Sequence, residues 1–157
     1  MTKLPDDVPD CMVFLLAKAY QKAHANFKKQ LTPYSLTNLQ HLVLEGLWYK
    51  QGMTAAQLGK FLILDKATLS GVLERMVKAG WIKKEPNKND KRLLSIYTSQ
   101  KADDLKEILI KERQKANEKI LKTFSIEEKI LFKRFLADVI NSEQTSLSTN
   151  HIINPSG

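Results

Sequence analysis

The stretch Thr54–Thr98, TAAQLGKFLILDKATLSGVLERMVKAGWIKKEPNKNDKRLLSIYT, constrains the fold more than any other part of the chain. It reads as a short helix, a tight connection, a second helix and a basic two-stranded hairpin. In the second helix Asp65 is a good N-cap residue and Gly80 a suitable C′ stop. Between them Leu69, Val72, Leu73, Met76 and Val77 follow helical spacing, an apolar stripe that predicts a core-facing side. The other face carries Lys66, Ala67, Thr68, Ser70, Gly71, Glu74, Arg75 and Lys78. Small, hydroxylated and basic side chains crowd its N-terminal half and let a backbone approach base edges and phosphates. Taken alone, this helix reads as a surface helix with a mixed-charge solvated face.

The hairpin shifts that balance. Trp81–Glu85 and Leu93–Thr98 have strand-like content, and the seven residues between them are turn formers. From Lys83 to Arg92 there are five cationic and two anionic side chains. A cationic β-tip beside a groove-reading helix can straddle phosphates and reach the adjacent minor groove. The order defines a winged helix-turn-helix, so the expected fold class is mainly α with a small β-wing.

The ordered set of motifs resembles the MarR family of bacterial transcription regulators. The carriers are Leu36-Thr37-Asn38-Leu39-Gln40, Ala56-Gln57-Leu58-Gly59, Thr68-Leu69-Ser70, the run Arg75–Ile82 into the wing, and Asp90-Lys91-Arg92, which matches the family's Asp-x-Arg wing signature. The match runs over roughly residues 10–140 in order. One departure is Lys101-Ala102, where the family usually shows glycine second. The resemblance implies that Arg92 is inserted near the minor groove and that Asp90 braces the wing. It also implies that Lys66, Thr68, Ser70, Gly71 and Arg75 approach DNA, with Arg75 alternatively pairing with a carboxylate inside the module. Lys88 and Lys91 read as phosphate contacts.

The chain has 157 residues and a formal charge of +8, which favours a polyanionic partner, nucleic acid or an anionic membrane surface, without choosing between them. The single cysteine, Cys11, excludes an intramolecular disulfide and points to a reducing compartment. The apolar run Met12–Ala17 is too short to span a bilayer, and Asp6, Asp7 and Asp10 precede it where a secretion signal needs cations. A cytoplasmic protein with no membrane partner is expected.

In chain order, residues 1–8 read as a frayed arm. A helix is expected over about 9–31, with Val13, Leu16, Tyr20, Ala23 and Phe27 as its stripe. Capping signatures at Thr37–Gln40, Thr54–Gln57 and Ser125–Glu128 predict three further helix starts. One continuous helix is expected over about 99–123, a last one over about 126–141 with Ile130, Leu131, Phe135, Leu136, Val139 and Ile140 apolar, and a polar tail over 142–157. The whole reads as a single domain, with a winged core over about 35–98. The helices at 9–31 and 99–141 carry apolar surface the winged module cannot cover, so a two-fold homodimer is expected, as the resemblance also implies.

The remaining residues give weaker signals. His24, His41 and His151 lack metal-ligand spacing and no acid cluster completes a site, so no metal and no cofactor are expected. His24, His41 and Trp48 are candidates for the pocket in which members of the resembled family hold small aromatic, lipophilic or anionic effectors; each singly reads also as a packing residue. Cys11 has no flanking cation to activate it and reads as a small buried hydrophobe, with a redox-responsive role as the rival. No Gly-rich phosphate loop and no nucleophile–base spacing appears, which argues against an enzyme. The function expected is a sequence-specific DNA-binding regulator, a ligand-responsive repressor on a pseudo-palindromic operator. The alternatives are a redox regulator using Cys11 and a winged module that contacts only protein.

Overall fold

The computed structural model describes residues 10–142; the expected arm over 1–8, His151 and all but the first residue of the polar tail lie outside them. Contacts divide the chain into two compact units, 1–117 and 118–157. The first holds α1 (Met12–Leu31), a turn of 3-10 helix (Thr32–Tyr34), α2 (Asn38–Tyr49), β1 (Met53–Thr54), α3 (Ala55–Leu62), α4 (Lys66–Lys78), β2 (Ile82–Pro86), β3 (Leu94–Thr98), α5 (Gln100–Asp104) and most of α6 (Lys106–Ile120). The second holds α7 (Ile126–Asn141).

The three capping signatures form as expected. At Thr37, Thr54 and Ser125 the hydroxyl accepts from the N3 backbone N–H, and the N3 side chain accepts from the N-cap N–H. Each satisfies two of the donors that a helix start leaves unpaired. Asp65 caps α4 by accepting from the Thr68 N–H at 2.8 Å. Gly80 terminates the same helix at φ +71°, a conformation that glycine adopts without steric cost.

The sheet has strand order β1-β3-β2, both pairings antiparallel. Ile82 faces Thr98 and Pro86 faces Leu94, so the hairpin runs in unbroken register from root to tip. Strand β1 pairs Met53 with Ile96 and carries no signal in the sequence, because two residues are too few to show a period of two. The core gathers Val43, Leu44 and Leu47 of α2, Leu58 of α3, and Leu69, Val72, Leu73 and Met76 of α4, together with Trp81, Ile96 and Leu109 of α6. Gly46 sits where α2 meets α3: a Cβ there would lie 3.1 Å from Leu58 Cδ1 and 3.3 Å from Leu62 Cδ2.

Three expectations need correction. Val77 does not share the burial of its stripe and is 41% exposed, because the buried face of α4 ends at Met76, where the chain turns into Gly80 and Trp81. The single helix expected over 99–123 is two, since Leu105 (φ −93°, ψ −4°) interrupts it between α5 and α6. Cys11 is exposed rather than buried, because it precedes the first residue of α1 as its N-cap.

The turn between α3 and α4 depends on Ile63, which holds φ +55° and ψ +49° and is 74% exposed. A β-branched residue in this left-handed conformation is strained by about 1–2 kcal/mol. Glycine would relieve that strain but adds about 0.5–1 kcal/mol of unfolded-chain freedom. Ile63→Gly is therefore expected to raise stability by about 0.5–1 kcal/mol, read as a higher denaturant midpoint at unchanged slope.

Candidate nucleic-acid interface

Burial of Leu69, Val72, Leu73 and Met76 turns the opposite side of α4 to solvent. Lys66, Thr68, Ser70 and Arg75 are exposed there, and Gly71 is half-buried. Arg75 makes no ion pair among the described residues, so the alternative of an internal carboxylate partner is not the arrangement observed. Thr68 is not free in the same way. Its hydroxyl donates to Asp65 Oδ2 while its N–H donates to Oδ1, and these bonds hold the Asp65 carboxyl below the usual carboxylate range. Thr68 thus serves the helix start first, and its hydroxyl can offer a partner only its acceptor lone pairs.

The wing tip is organised by Asn87, which the sequence shows only as one turn former among several. Its Nδ2 donates to Ser95 Oγ at 2.8 Å, and its Oδ1 accepts from the N–H groups of Asn89 (2.9 Å) and Asp90 (3.1 Å). The Asn87 N–H donates to the Leu93 carbonyl and closes the loop. Asp90 accepts from the Arg92 backbone N–H and Nε, both at 3.0 Å on Oδ1, and from Nη2 at 2.9 Å on Oδ2. That fork holds the Asp90 carboxyl below its ordinary range and raises the Arg92 guanidinium. The Arg92 side chain is 89% exposed, so it is aimed but uncovered. Lys88 and Lys91 are exposed beside it.

Two further cations lie close to α4. A hollow of about 280 Å³ is lined by Lys60 of α3, Lys66 and Ser70 of α4 and Lys84 of β2, together with Leu64, Leu69 and Leu73. The sequence shows Lys60 only as an ordinary surface lysine and Lys84 only as one cation of the basic hairpin; their approach to Lys66 comes from the packing of three elements.

A separate group of aromatic residues surrounds the middle of α2. His41 is buried, its ring 4.8 Å from Phe27 of α1 and 6.1 Å from Trp48, edge-on to both. His24 joins through its backbone, whose carbonyl accepts from Asn38 Nδ2 at 3.0 Å, while its ring lies 5.5 Å from Tyr20. The structure therefore brings His41 and Trp48 together and places His24 one step away. His41 Nδ1 is 3.7 Å from Glu45, and Glu45 in turn pairs with Arg113 of α6. Among the described residues no group of three or more His, Cys, Asp or Glu side chains is placed to hold a metal. No described helix is long and apolar enough to cross a membrane.

A helix-turn-helix with a cationic wing defines a DNA-binding class of fold. Residues 36–94 match the model of the MarR family. The HTH-type transcriptional regulator TtmR of Methylorubrum extorquens is 32% identical over 94 residues, 60% of this chain and 47% of that protein, so the match spans about half of that relative's length. The HTH-type transcriptional repressor NicR of Pseudomonas putida is 25% identical over 142 residues, 90% of each chain. Among solved structures, a mutant MarR from Escherichia coli complexed with operator DNA superposes with a TM-score of 0.74 at 25% identity, covering 80% of this chain and 90% of that one. These relatives are transcription regulators, not enzymes.

Burial lowers the His41 pKa below 6.5, outweighing the opposite effect of Glu45. The unfolded chain therefore binds a proton near pH 6.5 that the folded chain refuses until lower pH. Stability contributed at this site is complete above pH 6.5 and is lost as pH falls toward the folded pKa. Denaturant midpoints measured through this window should fall with falling pH, and His41→Gln should flatten the dependence.

Proposed function

We propose that the protein is a DNA-binding transcription regulator that works as a homodimer, with α4 in the major groove and the wing across the flanking backbone. The observation that carries this reading is the joint exposure of the α4 edge and of Arg92, held in a fixed fork by Asp90. Lys66, Ser70, Gly71 and Arg75 form the groove-facing edge, with Thr68 accepting rather than donating. Lys88 and Lys91 neutralise phosphates, joined by Lys60 and Lys84 around the hollow. Such a set supplies a steep salt dependence, because each phosphate contact releases counterions.

The dimer is supported by apolar surface that each terminal helix leaves in water. On α1, Met12, Val13 and Tyr20 are 69%, 75% and 62% exposed; on α7, Ile126, Ile130 and Val139 are 72%, 63% and 57% exposed. Burying such side chains gains about 1.5–3 kcal/mol each, which a second copy can supply. A two-fold pair then presents two recognition helices to half-sites about one helical turn, ~10 bp, apart. The reading extends to a repressor of a pseudo-palindromic operator, acting in the cytoplasm. Its effector is a small aromatic or lipophilic anion held at Phe27, His41 and Trp48, with Lys106 supplying positive charge nearby. An effector of this kind releases DNA only by binding the non-competent arrangement more tightly.

Selection of duplexes from a random pool should yield a pseudo-palindrome bound by a dimer in light scattering. On that duplex Arg92→Ala should weaken binding roughly 5- to 150-fold, the loss of one DNA contact. A flat salt dependence would identify the rival, a winged module that contacts only protein.

A further inference from the structure

The root of the wing is tied to α2 by a chain of side-chain hydrogen bonds. Thr98, the last residue of the central strand β3, is 5% exposed. Its hydroxyl donates to Asp103 Oδ1 at 2.7 Å and accepts from Gln51 Nε2 at 2.6 Å, while its N–H donates to Gln51 Oε1 at 3.1 Å. The same Asp103 Oδ1 also accepts from the Trp48 indole N–H at 3.2 Å. One carboxylate oxygen therefore holds both the end of β3 and the side chain that edges onto His41.

We infer that Asp103 is a positioning residue for the wing, and that Trp48 controls it: the shared oxygen couples the state of the aromatic group on α2 to the placement of Arg92. This rests on the reading of the wing as a DNA-contacting element. The indole is one rigid plane with one donor and no acceptor. If a ligand beside His41 rotates or displaces that plane, the N–H leaves Asp103. The carboxylate is then held by the Thr98 hydroxyl alone and, because Asp103 is exposed, can turn toward solvent. Thr98 loses the partner that fixes its hydroxyl, and β3 carries any shift along the unbroken ladder to Leu94, two residues beyond Arg92. The Gln51 bonds remain, so the strand loosens without detaching. The coupling is reciprocal: DNA that fixes the wing also favours the Trp48–Asp103 bond and disfavours whatever competes with it.

The test uses the full chain with Trp48→Phe, Asp103→Ala and Asp103→Asn. Amide hydrogen exchange should rise about tenfold across β2 and β3 in Trp48→Phe and Asp103→Ala, the loss of one charge-assisted hydrogen bond, while α3 and α4 keep their protection. Asp103→Asn retains an acceptor oxygen and should restore most of the protection. On the selected duplex, Asp103→Ala and Arg92→Ala should each weaken binding, and together no more than the larger alone, because both act through one contact. Unchanged exchange at the wing in Trp48→Phe, an equal rise in α3 and α4, or losses that add would overturn the inference. If Asp103→Ala does not fold, Trp48→Phe decides by the same exchange readout. If no duplex is selected, the reading of the protein as a DNA binder fails, and the exchange result still decides whether Trp48 and the wing are coupled.

Discussion

Leu69, Val72, Leu73 and Met76 lose nearly all their accessible surface to the core, and this burial fixes the rotation of α4 about its own axis. A helix has one degree of freedom that capping does not settle, namely which side faces in. Four side chains worth about 1.5–3 kcal/mol each settle it here. Everything on the opposite side follows: Lys66, Ser70 and Arg75 are exposed because the stripe that faces the core excludes them. The apolar stripe is thus the cause of the polar edge, and a defect in the core would appear first as a misdirected surface.

The wing is held by a different kind of force. Its tip buries little, and its shape comes from the Asn87 amide and the Asp90 carboxylate, which occupy backbone N–H groups that would otherwise face water. Exposed bonds of this sort add little to stability. Their use is directional, since the Asp90 fork narrows the range over which Arg92 can point and reduces the ordering cost on contact. Polar geometry at the tip and apolar packing beneath α4 together produce one basic, preorganised arrangement.

Much of the fold is legible in the sequence because its signals are local. The capping boxes at Thr37, Thr54 and Ser125, the Asp65 cap and the Gly80 stop each lie within four residues of the structure they specify. What is not legible depends on neighbours distant in sequence. Strand β1 exists only because β3 pairs with it, and Lys60 gains meaning only where α3, α4 and β2 converge. The break at Leu105 carries no proline or glycine to announce it. Cys11 reads as buried because cysteine usually is, while its place before the first turn of α1 decides otherwise. The basic edge and the wing cations are readable by type and order, but the role of Asn87 and the bond between Trp48 and Asp103 emerge only in three dimensions.

Gly46 sets a spacing that the rest of the winged unit inherits. With no side chain at that position, α2 and α3 come together until the methyl groups of Leu58 and Leu62 occupy the space a Cβ would need. Even alanine would oblige the Leu58 and Leu62 methyl groups to give by a few tenths of an ångström, and α4 is connected to α3 through the short turn at Ile63. The gauge between α2 and α3 is therefore also the gauge for where the next helix sits, and a single missing carbon atom calibrates both.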